Sequence, residues 1–123
     1  MNPGLTKTYI AQGAIPGRAI VKAGATDGTV AVATSGADAI IGVNERLDVD
    51  NGDRVDVIHS GIAEVVCGGN IASGGFLTAS NAGVAVAAAP AAGVNARTVG
   101  LALSSGSAGD IIDTLLTLTR IQG

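Results

Sequence analysis

Apolar and polar positions alternate over short runs, and most runs end at Gly, Asn or Ser. The runs are "AIVKA" (19–23), "TVAVAT" (29–34), "IIGVN" (40–44), "RVDVIHS" (54–60) and "IAEVVC" (62–67). "GFLTA" (75–79), "VAVAAA" (84–89) and "RTVGLAL" (97–103) follow. A period of two puts successive side chains on opposite faces, which is the signature of a half-buried strand. In "RVDVIHS" it places Val55, Val57 and His59 on one face and Arg54, Asp56 and Ile58 on the other. The last run, "DIIDTLLTLTRI" (110–121), suits a helix or a strand, and Thr114, Thr117 and Thr119 push it towards strand. Turn signals recurring at roughly ten-residue intervals predict an all-β sandwich or barrel. Residues 1–9 lack an apolar period and contain Pro3 and Gly4. They read as an extended N-terminal arm preceding a single β-domain over 10–123.

The chain also echoes itself. "GDRVDV" (52–57) returns as "GDIIDT" (109–114). Gly13-Ala14-Ile15 matches Gly69-Asn70-Ile71, and Ile20–Ala23 matches Phe76–Ala79. Gly28 with its apolar run matches Gly83, and Ile41-Gly42-Val43 matches Val99-Gly100-Leu101. The five matches occur in order at nearly constant offset, which predicts two copies of one β-unit, about 10–66 and 67–123. Two repeats are too few for a solenoid. They suffice for a closed β-domain with a pseudo-two-fold, each half covering the other's apolar face.

Composition narrows the function. The 123 residues are 47% hydrophobic, but Tyr9 and Phe76 are the only aromatics, and 19 residues are Gly. Ala, Val and Gly bury little area each, so a protomer of this kind leans on neighbours for stability. The net charge is −3, and the seven Lys and Arg are scattered singly. No basic stripe or stacking platform exists for nucleic acid. Cys67 is the single cysteine, which excludes an intramolecular disulfide. "MNPGLTKTY" has no secretory core, and "GVAVAAAPAAGV" is broken by Pro90 and Gly93, too short for a membrane helix.

Candidate chemistry is sparse. "DVDNGD" offers Asp48, Asp50 and Asp53 as a metal set, but the twelfth position of a calcium loop holds His59 instead of Glu. The matching loop, "SSGSAGD", keeps Gly109 and Asp110 alone. The shared part is therefore a turn, and no metal or cofactor is expected. His59 and Cys67 lie on successive strands and could meet as base and nucleophile, yet no third group is placed to orient them. "GGNIASGG" lacks phosphate-loop spacing. Lys7 and Lys22 are the two lysines, and neither sits at the hairpin tip that a lipoyl or biotin carrier requires.

"GDRVDVIHSGIAEVVCGGNIASGGFLTAS", "GVAVAA" and "VGLAL…GDIIDTLL" together resemble the head decoration, or capsid cement, proteins of tailed bacteriophages. The resemblance covers roughly residues 8–120 and implies a non-enzymatic, β-tulip-like fold. It implies a trimer bound to major capsid protein on the outside of an expanded head, made in the bacterial host cytoplasm and carried on the virion. Leu5, Lys7 and Tyr9 are then the expected contacts to capsid or neighbouring subunit, with Tyr9 anchoring the arm. The rival is a small-molecule-binding or carrier β-barrel of an enzyme complex.

Overall fold

Ten strands lie among the residues that the computed structural model describes, 5–45, 47–90 and 92–122. In chain order they are β1 (Thr6–Ala11), β2 (Ile20–Ala23), β3 (Thr29–Val32), β4 (Ile40–Asn44) and β5 (Arg54–Ile58). β6 (Ile62–Val66), β7 (Phe76–Ala79), β8 (Ala85–Ala87), β9 (Asn95–Ala102) and β10 (Ile111–Gln122) complete the set. One 3-10 turn, Asn81–Gly83, joins β7 to β8. The final run is a strand throughout, where its β-branched threonines outweigh a period that also suits a helix.

The first five strands close a barrel in the order β1-β3-β2-β4-β5. The second five form a sheet in the order β6-β10-β9-β7-β8, whose edge strands touch at a parallel Cys67–Ala85 bridge. The circular order is therefore the same in both halves. Individual hydrogen bonds correspond as well. Gly52 N–H donates to the Ala11 carbonyl at 2.9 Å, and Gly109 N–H to that of Cys67 at 2.8 Å. His59 N–H donates to Leu5 at 2.8 Å, and Leu116 N–H to Gly61 at 2.8 Å. Corresponding bonds thus start at Leu5 and Gly61, several residues earlier than the sequence boundaries of 10 and 67. Gly52 and Gly109 have φ of 88° and 90°, a left-handed turn that only glycine adopts at no steric cost.

Corresponding glycines in the two halves leave no room for a side chain against a neighbouring backbone. A Cβ on Gly42 would overlap the Ile58 carbonyl oxygen, and one on Gly100 the Leu115 carbonyl oxygen. Both lie where a strand crosses close to its neighbour's backbone.

Two cores result. Ala11, Ile15, Val21, Val30, Val55 and Val57 fill the first barrel. The larger core joins the halves. Ile20, Ala33, Ile40, Val43 and Ile58, on the outer face of the first barrel, pack in one cluster with Ala63, Val65, Leu77, Val99 and Ile112 of the second half. Ile58 is therefore buried at 4% exposure, although its strand face otherwise carries the exposed Arg54 and Asp56. The second half covers that end of the strand.

Contacts between the halves are not reciprocal. Gly83 is packed against Ala19, Ile20 and Val32, whereas its counterpart Gly28 faces open space. β4 packs on β6, β9 and β10. The arrangement is head-to-tail, unlike the mutual covering that a two-fold would produce.

The loop between β3 and β4 holds this junction. Arg97 N–H donates to the Gly36 carbonyl at 2.9 Å. Asp38 shapes the loop by accepting the Thr34 N–H at 2.8 Å, with Lys22 Nζ 3.7 Å away. The Thr34 amide bond holds the Asp38 carboxyl below its ordinary value; partial burial opposes this and Lys22 assists it. A depressed folded value means stability present above the unfolded value near 4 and lost as pH falls through the folded one. Asp38→Asn is therefore expected to be less stable than the parent at neutral pH and to converge with it in acid, as urea titrations across pH would reveal.

The expected free arm is not observed over residues 6–9. These belong to β1, which pairs antiparallel with β5 from Thr6–Ile58 to Ile10–Arg54 and parallel with β3. Barrel closure requires a strand there, and threonines with Tyr9 supply one. Residues 1–4 of the expected arm lie outside the described residues.

Candidate interaction surface

The three expected contact residues, Leu5, Lys7 and Tyr9, line up on one side of the chain entering β1. Tyr9 packs against the core of the first barrel, and Lys7 and Leu5 continue from it towards the barrel end where β1 begins. Its hydroxyl lies 2.8 Å from His59 Nε2, and the rings meet edge-to-face with centroids 5.5 Å apart. His59 Nδ1 is 2.7 Å from the Ile41 carbonyl oxygen. A carbonyl can only accept, so Nδ1 carries a proton, and in the neutral ring Nε2 then accepts from the Tyr9 hydroxyl. Lys7 Nζ stands 5.2 Å from the Tyr9 ring centroid, within cation–π range. Leu5 is bound through its backbone to Ser60 and His59, while its side chain is 65% exposed. The barrel end thus presents an apolar leucine, an aromatic and a cation, held by a short polar network. The sequence leaves room for His59 to meet Cys67; its ring instead bonds the Tyr9 hydroxyl and the Ile41 carbonyl.

Cys67 lies in the larger core at 1% exposure. Burial, followed by the nearby Asp110 carboxylate, pushes its thiol above the ordinary value. Thiolate is the reactive form, so Cys67 is expected to resist iodoacetamide in the native protein and to react on unfolding, read by mass spectrometry.

The acidic turn serves the backbone. Asp48 accepts the Gly17 N–H at 2.7 Å, and Asn51 accepts the Gly13 N–H at 2.8 Å. Asp53 accepts the Ala11 N–H through its carbonyl oxygen. These bonds staple the loop after β1, and among the described residues no three His, Cys, Asp or Glu gather as a metal set. Lys22 sits within β2, opposite Ala31 and Ile40, and Lys7 within β1. A cleft of about 380 Å³ lies nearby, lined by Asn44, Glu45, Leu47, Val49, Arg54, Val55 and Asp56. No helix among the described residues is long and apolar enough to cross a membrane.

A second surface was not anticipated. On the outer face of the second half, Phe76 pairs with Leu101, Leu101 with Leu115, and Leu115 with Ile62. This apolar row crosses four strands, and Phe76 and Leu115 are each 41% exposed. Alternation within each strand carries the signal, but cross-strand register is needed to assemble it.

No family model and no curated protein matches the chain. Among solved structures it is similar to the crystal structure of the head fiber gp8.5 N base in bacteriophage phi29, with a TM-score of 0.67 and 17% identity. The match covers 97% of this chain and 98% of that one. The two proteins share a fold. The all-β barrel architecture expected from the sequence is thus also that of a phage head-fibre base, spanning both halves from end to end.

Among the described residues, one buried side-chain oxygen remains unsatisfied. Thr114 Oγ1 is fully buried without a hydrogen-bond partner. The corresponding position in the first half is Val57, which fills the barrel as a hydrocarbon. Thr114→Val keeps the shape and removes an orphan hydroxyl, so it is expected to stabilise the protein by about 1 kcal/mol in urea unfolding.

Proposed function

We propose that this chain is a structural virion protein that binds the outside of an expanded phage head as a trimer and stabilises the shell. The observation that carries the reading is the end-to-end fold likeness to a phage head-fibre base. The sequence resemblance to head decoration proteins points the same way, from residues and not from topology. Leu5, Lys7 and Tyr9 remain the proposed contacts, now as a rigid barrel end in place of a reaching arm. The proposed mechanism is mass action: a protein that binds the expanded shell and not the unexpanded one stabilises the former by its binding free energy. A catalytic role is not part of this reading.

The test is co-sedimentation with heads of the phage that encodes the chain. Binding to expanded heads, with a raised shell melting temperature, is the expected result. Equal binding to unexpanded shells, or none to either, would sink the stabilising role.

A further inference from the structure

We propose that the exposed Phe76–Leu101–Leu115 row of one copy docks on the Leu5–Tyr9 barrel end of a second copy, repeating between chains the contact that joins the two halves within one. The row has a counterpart in the first half. Ile20 pairs with Val43, and Val43 with Ile58, in the same register as Phe76, Leu101 and Leu115. Ile20 and Ile58 are 0% and 4% exposed, because the second half covers them. The same cluster holds Ala63 and Val65 of the second half, with Leu116 packed against it. Those three correspond to Lys7, Tyr9 and His59 by strand pairing, since Val65 opposes Ile112 as Tyr9 opposes Val55.

One chain therefore uses its first row and its second barrel end on each other. Its second row and first barrel end stay free. A head-to-tail contact leaves one donor and one acceptor surface unfilled, and a second copy supplies both. The free acceptor end suits this role: Leu5 is exposed, and Tyr9 offers aromatic area at small entropic cost. Repetition closes a ring if the rotation between halves permits, and three chains would then place six similar barrels around it. The assignment rests on the homo-oligomer part of the proposed function and is independent of capsid binding.

Sedimentation velocity of the full chain tests it with two kinds of variant. Leu115→Glu and Phe76→Glu charge the row; Leu5→Glu charges the barrel end. All three positions are exposed, so the far-UV circular dichroism of each variant should match the parent, and its unfolding midpoint should match that of the parent diluted to monomer. The parent is expected to sediment as a closed oligomer and each variant as a monomer. A mixture of Leu115→Glu and Leu5→Glu chains should give a species of two chains, one of each kind, because one intact row meets one intact end. A reciprocal interface would not be rescued this way. Variants that keep the parent's oligomeric mass, or a mixture that stays monomeric, would overturn the assignment while leaving oligomerisation itself intact. A monomeric parent would overturn both.

Discussion

Gly100→Ala is expected to lower stability by about 3 kcal/mol, at the upper end of typical overpacking costs. The added Cβ would meet the Leu115 carbonyl oxygen and the Thr114 methyl group, and the first of these is backbone in the paired strand. Relief requires β9 to move away from β10, the longest ladder in the second half. Gly42→Ala should behave alike, because its Cβ would meet the Ile58 carbonyl. Gly109→Ala provides the contrast. It has φ of 90° but open space around the missing Cβ, so backbone strain of about 1–2 kcal/mol is the whole cost. Urea midpoints for the three variants decide the matter. A Gly100→Ala protein no less stable than Gly109→Ala would contradict the close crossing.

The second large effect separates corresponding positions in the two halves. Ile20→Ala should cost about 3 kcal/mol, the usual range for truncating a fully buried isoleucine. Ile20 sits in the core that joins the halves, so its loss loosens their junction as well as leaving a cavity. Phe76→Ala, at the corresponding place, should cost less than about 1 kcal/mol when chains are dilute enough to be monomeric, because its ring is already 41% exposed. The larger side chain then gives the smaller effect. Equal losses at the two positions would mean that the halves do not pack head-to-tail.

Much of the architecture was legible in the residues. The run 40–44 is β4 residue for residue, and most other runs are displaced by one or two positions at an end. Period-two alternation and Gly-Asp turns are local signals, written where they act. β1 is not legible in the sequence because Thr6, Lys7, Thr8 and Ile10 are exposed, so that strand carries almost no apolar alternation. Its existence follows from barrel closure, a long-range requirement that no window reveals. Ile58 failed for a similar reason, since what buries it is the other half of the chain.

The candidate site divides in the same way. Leu5, Lys7 and Tyr9, the contacts that the resemblance implies for an arm, share the face of a barrel end. The Tyr9–His59 hydrogen bond joins residues fifty positions apart, and only the β1–β5 pairing brings them together. The Phe76–Leu101–Leu115 row is invisible to any pattern within one strand, because each strand gives it a single residue. Corresponding positions in the echo offered the one available clue: Ile20, Val43 and Ile58 are apolar at the matching places.

The most direct test of the central claim is a cryo-EM reconstruction of mature heads from the phage that encodes this chain. The proposed function predicts two-barrel density on the outer surface of the expanded shell, with three copies around each binding position. Heads whose outer surface carries no density for this chain would contradict it.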